Sequence, residues 1–171
     1  MNLILCGMMG AGKTTVGAAL AKQSGYVFYD TDAVIVERYG KIADIFACYG
    51  EAYFRAIETN VVRELACKDK AILSVGGGLV LKQENVKILK DGGKIIYLCA
   101  SLSTLTARLS ADKERPLLHT GGESLQEKLT SLLKDRAPIY EKVADCIVDV
   151  DGKTPEEIAG EIQEKMLENK K

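Results

Sequence analysis

The stretch Gly7–Thr15 combines three glycines, a lysine and two threonines at a spacing that suits the binding of phosphate groups. Its letters GMMGAGKT match the P-loop pattern G-x-x-x-x-G-K-S/T. In this pattern the glycines let successive backbone N–H groups hold phosphate oxygens at the positive end of a helix. Lys13 is expected to reach the β- and γ-phosphates of a nucleotide, and the Thr14 hydroxyl to ligate Mg²⁺. The loop residues predicted to bind the nucleotide are Gly10, Ala11, Gly12, Lys13, Thr14 and Thr15.

Two carboxylates, Asp30 and Asp32, follow a short apolar stretch that is predicted as a strand. Side chains at the carboxyl end of a strand lie near the nucleotide crevice of a parallel α/β sheet. Beside a phosphate-binding loop, an aspartate here is expected to face Mg²⁺ or a substrate hydroxyl. The alternative is that Asp32 only caps the helix that follows.

Arg55 and Glu58 lie three residues apart in a stretch with helical periodicity, Glu51–Cys67. This spacing places both side chains on one face of a helix, where they can form an ion pair. A surface ion pair has the same spacing, so the pattern alone leaves open whether Arg55 binds a ligand.

Three consecutive glycines, Gly76–Gly78, directly follow the predicted strand Ala71–Val75. Glycines lose more conformational entropy on ordering than other residues, so a simple turn is a poor explanation for three of them. We expect a ligand to approach the backbone closely at this glycine run.

Residues 112–122 have no usable periodicity and contain Lys113, Arg115, Pro116, His119 and two glycines. A polar, basic segment with glycine hinges has the composition of a lid over the phosphates, and an ordinary loop shares that composition. His119 is the only histidine. We expect it to be solvated, and a single histidine cannot build a metal cluster.

The overall composition is that of an ordinary globular protein. Of 171 residues, 47% are hydrophobic and 27% charged, and the net charge is −1. No general nucleic-acid or membrane-surface role is expected, so a few placed cations must hold any anionic ligand. The five cysteines are odd in number and form no C-x-x-C, which favours the cytoplasm. No apolar run has the length of a membrane span, and no signal peptide is expected before the P-loop.

Apolar stretches alternate with stretches of helical periodicity along the chain. The predicted strands are Leu3–Cys6, Tyr26–Tyr29, Ala71–Val75, Lys94–Leu98 and Asp145–Val150. A first helix is predicted to end at Gly25, and a last one to open with a capping box at Thr154–Glu157. The helices predicted between them are Ala33–Tyr39, Ile42–Tyr49, Glu51–Cys67, Lys82–Lys90, Ser101–Ser110 and Ser124–Arg136. This alternation predicts an α/β fold, with a five-stranded parallel sheet flanked by helices, in a single domain over residues 1–171.

From Asn2 to about Ile162 the chain resembles the shikimate kinase family. A P-loop alone fits hundreds of families, but a series of further motifs occurs in order and is specific in combination. These motifs are Asp30-Thr31-Asp32, Ile45-Phe46, Gly50-Glu51, Phe54-Arg55-x-x-Glu58, Gly76-Gly77-Gly78, Arg115-Pro116-Leu117-Leu118 and Arg136-x-Pro138-x-Tyr140.

The resemblance implies transfer of the γ-phosphoryl group of ATP to the 3-hydroxyl of shikimate, in the route to aromatic amino acids. It also implies a nucleoside-monophosphate-kinase-like fold with strand order 2-3-1-4-5. A lid at about 112–122, a substrate-binding region at about 32–60 and a monomeric state belong to the same expectation.

The resemblance further implies roles for single residues. Asp30 would support Mg²⁺ through water, Asp32 would accept or orient the hydroxyl proton, and Arg115 would reach the transferred phosphate. Arg108 and Pro155 would flank the adenine. Glu58 would orient Arg55 within a shikimate site formed by Asp32, Arg55, Gly76, Gly77, Gly78 and Arg136.

Three other functions share part of the pattern. A gluconate-kinase-like enzyme shares the P-loop and the D-x-D, whereas the glycine run and the two arginines favour shikimate. A GTPase-type switch fits D-x-x-G at Asp149–Gly152 but lacks the guanine motif N-K-x-D. The third alternative is a catalytically silent ATP-binding regulator. The retention of all the expected functional side chains argues against it: Lys13, Asp30, Asp32, Arg55, Arg115 and Arg136.

Overall fold

The structure, a computed structural model, describes residues 1–111 and 122–168. Nearly all of the predicted lid, including Arg115 and His119, lies outside the described residues. Within the described part, every helix is either too short or too polar to cross a lipid bilayer.

Five parallel strands form one sheet in the order β2-β3-β1-β4-β5. The strands are β1 (Asn2–Cys6), β2 (Val27–Asp30), β3 (Ala71–Ser74), β4 (Gly93–Cys99) and β5 (Cys146–Asp149). Every residue of β1 and β3 is buried. Because successive side chains of a strand point to opposite faces, both faces of the sheet centre must be covered. The predicted parallel α/β fold and its strand order are confirmed.

Seven helices occur in the described part of the chain. They are α1 (Lys13–Ser24), α2 (Thr31–Tyr39), α3 (Ile42–Ala66), α4 (Gln83–Gly92), α5 (Leu102–Ala111), α6 (Leu125–Val143) and α7 (Pro155–Glu168), with a 3₁₀ turn at Leu79–Leu81. Helix α1 packs against α7, α3 packs against α2 and α4, and α5 packs against α6. These pairs cover the apolar strands and leave the carboxyl ends of the strands as the edge where a ligand can enter.

Two predicted helix ends near the site were wrong, one because of burial in the core and the other because of a local cap. Helix α6 was predicted to end at Arg136, before Pro138, but it continues through the proline to Val143. A proline inside a helix removes one backbone hydrogen bond. Its last turns nevertheless bury Tyr140 and Val143 in the core, and this burial offsets the missing bond.

The other corrected helix end concerns the two aspartates. Helix α2 begins at Thr31 rather than Ala33, and Asp30 is its N-cap. The Asp30 Oδ1 accepts from the backbone N–H of Asp32 at 3.0 Å and of Ala33 at 3.2 Å. The capping role considered for Asp32 therefore belongs to Asp30.

Candidate active site

One cleft of about 830 Å³ opens at the carboxyl edge of the sheet. It is lined by every predicted site residue that the structure describes: Gly10, Ala11, Gly12, Lys13, Thr14, Thr15, Asp30, Asp32, Arg55, Gly76, Gly77, Gly78, Arg108, Arg136 and Pro155. The predicted Arg115 lies outside the described residues. Residues that are dispersed along the chain meet here because β1, β2 and β3 all end at this edge.

The loop between β1 and α1 takes a shape that requires glycine. Gly7, Gly10 and Gly12 have φ values of 143°, 83° and 89°. A Cβ on Gly7 would stand 2.7 Å from the carbonyl oxygen of Leu98, closer than real Cβ contacts allow. No side chain caps the N-terminus of α1. Its first N–H groups and the helix dipole therefore suit an anionic group.

Lys13 and Thr14 occupy the first turn of α1, next to this loop. The Lys13 ammonium donates to the carbonyl oxygens of Gly7 at 2.9 Å and Met8 at 3.0 Å. Its charge therefore lies where the loop begins. The Thr14 hydroxyl donates to Asp30 Oδ2 at 2.8 Å, so the P-loop and the end of β2 are directly linked.

The Thr14–Asp30 pair has the donor chemistry of a magnesium site. Asp30 uses Oδ1 to cap α2 and Oδ2 to contact Thr14, so both carboxylate oxygens have fixed directions. Mg²⁺ prefers oxygen ligands and keeps several of its waters, and it therefore needs only one or two protein groups. A hydroxyl and a carboxylate beside a phosphate-binding loop fit that requirement.

Arg55 and Glu58 form a partly buried ion pair rather than a surface pair. Arg55 Nη1 lies 2.6 Å from Glu58 Oε2, and the Glu58 side chain is only 3% exposed. Burial raises the pKa of Glu58, while the hydrogen bond and charge of Arg55 partly lower it. The Arg55 side chain is 33% exposed, and Glu51 is a second acidic partner at 3.4 Å. Glu58 thus fixes the guanidinium at the wall of the cleft.

The glycine run makes room for four charged side chains. A Cβ on Gly76 would lie 3.1 Å from Asp32 Oδ1 and 3.3 Å from Glu58 Oε1. On Gly77 it would lie 3.4 Å from Arg136 Nη1, and on Gly78 it would lie 2.9 Å from both Nη atoms of Arg55. The side chains of the site itself thus already lie close to this backbone. The approach of a ligand to the glycine run stays a prediction.

Arg55 and Arg136 meet at this glycine run from different helices. Arg55 projects from α3 and Arg136 from α6, and their guanidinium groups lie beside adjacent glycines. Two planar cations next to a carboxylate, Asp32, suit a small ligand that has one acid group and hydroxyls.

Arg108 and Pro155 line the cleft as well. Arg108 Nη1 donates to the carbonyl oxygen of Gly10 at 3.1 Å, so this arginine contacts the P-loop directly. Pro155 is the first residue of α7 and lies within the predicted capping box Thr154–Glu157. That box forms as expected: the backbone N–H of Thr154 donates to Glu157 Oε2 at 2.8 Å, and the N–H of Glu157 donates to Thr154 Oγ1 at 3.2 Å.

Sequence reasoning assigned no role at the site to some of its residues. Phe54 and Lys153 line the cleft. Phe54 is almost wholly buried and reads as a core residue, and Lys153 pairs with Glu161 at 2.6 Å like many surface lysines. Thr31 and Tyr140 hold the glycine run by hydrogen bonds. Tyr140 was noted only as part of the motif Arg136-x-Pro138-x-Tyr140, and no role was assigned to it.

The buried carboxyl of Glu58 predicts an unusual pH dependence of stability. Because its pKa in the folded protein lies above the 4.5 of an exposed glutamate, the folded state holds a proton that the unfolded chain releases. As the pH rises from 4.5 through the raised pKa, the wild type should lose stability relative to Glu58→Gln. Urea unfolding of both proteins across this range measures the difference.

Glu64→Gln, on the same helix, is the matched control. A hydrogen bond from Arg38 lowers the pKa of Glu64, so its contribution to stability is lost as the pH falls through that lowered pKa. As the pH rises, the free energy of unfolding of wild type should therefore fall relative to Glu58→Gln and rise relative to Glu64→Gln. If the free energy of unfolding changed with pH in the same way for wild type and Glu58→Gln, the proposed burial of a charged group would be contradicted.

Comparison with known proteins agrees with this geometry. Residues 9–167 match the family model described as shikimate kinase. A shikimate kinase of Chromobacterium violaceum is 43% identical over 98% of this chain and 91% of the relative. A shikimate kinase of Trichormus variabilis is 46% identical over 96% of this chain and 90% of the relative.

A solved structure agrees over nearly its full length as well. The structure described as shikimate kinase from Acinetobacter baumannii in complex with shikimate has a TM-score of 0.91 and 38% sequence identity. The match covers 99% of this chain and 94% of that one. With the family model matched over most of the sequence and relatives above 40% identity, this chain belongs to the shikimate kinase family.

Proposed function

We propose that this chain transfers the γ-phosphoryl group of ATP to the 3-hydroxyl of shikimate, giving shikimate 3-phosphate and ADP. The observation that carries this is the meeting of Arg55 and Arg136 at one glycine run, in the same cleft as the P-loop. The related enzyme of Acinetobacter baumannii was solved in complex with shikimate, which supports the choice of acceptor.

Shikimate is a small carboxylate with several hydroxyls, and each kind of group has a counterpart in the cleft. The carboxylate would be held by Arg55 and Arg136, whose planar guanidinium groups offer paired N–H donors. The backbone of Gly76–Gly78 would lie beside it. Asp32, adjacent to Gly76, would accept a hydrogen bond from the reacting hydroxyl and orient it toward the γ-phosphate.

The phosphates would be bound by the P-loop and the first turn of α1. Phosphoryl transfer demands mainly positioning and neutralisation of charge, and Lys13 supplies a cation at the start of the loop. Arg115 would add a second cation from the segment outside the described residues. Arg108 and Pro155 would flank the adenine.

Thr14 and Asp30 are the residues that would hold Mg²⁺, Thr14 directly and Asp30 through water. Their hydroxyl–carboxylate contact at 2.8 Å keeps both oxygens together beside the P-loop. When bound, Mg²⁺ neutralises charge on the β- and γ-phosphates.

A coupled assay of ADP release tests the proposed function against its alternatives. Shikimate, gluconate and a nucleoside monophosphate are offered in turn at equal concentration, with ATP and Mg²⁺. We expect ADP release to depend on shikimate alone. Faster release with gluconate would indicate a gluconate-kinase-like enzyme, and no release with any acceptor would indicate a silent ATP-binding regulator.

Gly78→Ala should weaken shikimate binding without unfolding the protein. Gly78 has an ordinary φ of −88°, so alanine fits its backbone. The added methyl would lie 2.9 Å from both Arg55 Nη atoms, and the flexible guanidinium must move away. Loss of one charge-assisted contact should raise the KM for shikimate at least about 10-fold, while the KM for ATP changes little.

Gly160→Ala is the control for a methyl added elsewhere. Nothing lies within 4 Å of the new Cβ, and the residue is inside helix α7. This variant should gain up to about 1 kcal/mol of stability and keep both KM values. If Gly78→Ala also kept both KM values, the binding of shikimate by Arg55 would not depend on the space that Gly78 leaves.

We also propose a cellular compartment and an oligomeric state for the enzyme. All five cysteines are free thiols, which suits a reducing cytoplasm better than an oxidising compartment. We further propose a monomer with a lid at about 112–122 and a substrate-binding region at about 32–60. Sedimentation at working concentration measures the oligomeric state. Hydrogen exchange with and without both ligands tests the lid and the substrate-binding region.

A further inference from the structure

The hydroxyl of Tyr140 is a buried polar group with a direct contact to the substrate side of the cleft. The side chain is 0% exposed, and its ring packs on the Tyr97 ring with centroids 5.2 Å apart. Packing alone would be served equally well by phenylalanine. The hydroxyl donates to the carbonyl oxygen of Gly77 at 2.7 Å, and this bond accounts for a polar group in the core.

The same hydroxyl lies next to Arg136. Both residues project from one face of α6, four positions apart. Tyr140 Oη and Arg136 Nη1 each lie 3.4 Å from the position that a Cβ on Gly77 would occupy. Burial raises the pKa of Tyr140 above 10, although the charge and hydrogen bond of Arg136 partly lower it. The hydroxyl therefore keeps its proton at neutral pH and remains a donor to Gly77.

A second hydroxyl holds the neighbouring peptide. The backbone N–H of Gly76 donates to the hydroxyl of Thr31, which is buried at the start of α2, at 3.2 Å. Glycine backbones are otherwise free to adopt many conformations. The glycine run thus keeps one shape because groups from two different helices fix it, Thr31 at Gly76 and Tyr140 at Gly77.

We propose that Tyr140 is a positioning residue for the acid group of the acceptor, acting through Gly77 and Arg136 and touching neither substrate. The inference rests on the proposed function, since it assumes that Arg136 binds the shikimate carboxylate. With the hydroxyl present, the Gly77 peptide and the guanidinium are ordered before the substrate arrives. Without it, binding must order both, which lowers affinity for the acceptor and leaves the nucleotide side unaffected.

Tyr140→Phe and Tyr97→Phe make a matched pair for the test. Each removes one hydroxyl from a buried ring, and each keeps the stacking of the two rings. The hydroxyl of Tyr97 has Cys99 as its neighbour, and Tyr97 does not line the cleft. KM for shikimate, KM for ATP and kcat are measured for wild type and both variants, together with the rise in melting temperature that shikimate produces.

For Tyr140→Phe we expect the KM for shikimate to rise about 3- to 10-fold, the range that one lost hydrogen bond gives, with the KM for ATP within twofold of wild type. The rise in melting temperature with shikimate should shrink, which measures the same loss even if the variant is less stable. Tyr97→Phe should match wild type in both KM values.

Equal effects of the two variants, or equal increases in both KM values for Tyr140→Phe, would overturn the positioning role and make the hydroxyl purely structural. A wild type that neither binds nor phosphorylates shikimate would instead overturn the proposed function, and this is seen before either variant is made.

Discussion

Lys13→Ala is expected to lower kcat by about 10³-fold and to leave the fold intact. The variant removes the cation that stands at the start of the P-loop, where charge on the transferring phosphoryl group must be neutralised. The fold should tolerate the change because the Lys13 side chain is only partly buried, and its ammonium donates to carbonyl oxygens of the loop itself, those of Gly7 and Met8. Steady-state kinetics and thermal unfolding measure the two expectations.

Lys22→Ala is the control for the loss of a lysine from α1. Lys22 is exposed in the last turn of the same helix and does not line the cleft. Its replacement should change kcat less than twofold. If Lys13→Ala kept activity within tenfold of wild type, Lys13 would not be the cation that serves the phosphates.

Arg55→Lys and Arg136→Lys should each weaken shikimate binding strongly and ATP binding little. Each keeps the positive charge but loses the planar fork of donors, because an ammonium group is a point charge. A charge-assisted hydrogen bond contributes roughly 1.5–3 kcal/mol, so affinity should fall about 10- to 150-fold. Titration calorimetry with each ligand separately measures this, since it does not depend on turnover.

Arg63→Lys supplies the control on helix α3. Arg63 is exposed and pairs with Glu84 at 2.9 Å, outside the cleft. The Arg63→Lys variant should bind shikimate and ATP with the affinities of wild type. Unchanged shikimate affinity in both arginine variants, or an equal loss of ATP affinity, would show that Arg55 and Arg136 serve the structure rather than the substrate.

The fold could be predicted because local signals and tertiary packing agree along most of the chain. Gly25 and Gly40 end α1 and α2 where expected, with φ values of 72° and 88°. Gly50, with φ 82°, breaks the helical stretch where two helices were expected. Prediction failed at Pro138, because the rule that helices end before proline is local, whereas burial of Tyr140 is a tertiary effect.

The composition of the site could be predicted, but its internal contacts could not. Residue spacing singled out Arg55 and the glycine run, and the resemblance to the shikimate kinase family added Arg136. Only the fold brings the two arginines to adjacent glycines. Asp30 was expected to serve only a metal, yet its two oxygens hold both α2 and Thr14. Tyr140 reads as a core aromatic, because nothing in a sequence shows where a buried hydroxyl points.

The position of the new phosphate on the product tests the central claim most directly. The protein is incubated with ATP, Mg²⁺ and shikimate, and the product is analysed by phosphorus–proton correlation NMR. The account predicts one phosphoester whose phosphorus couples to the proton on carbon 3 of shikimate. A phosphate on another hydroxyl, or ADP formed with no phosphorylated shikimate, would contradict it.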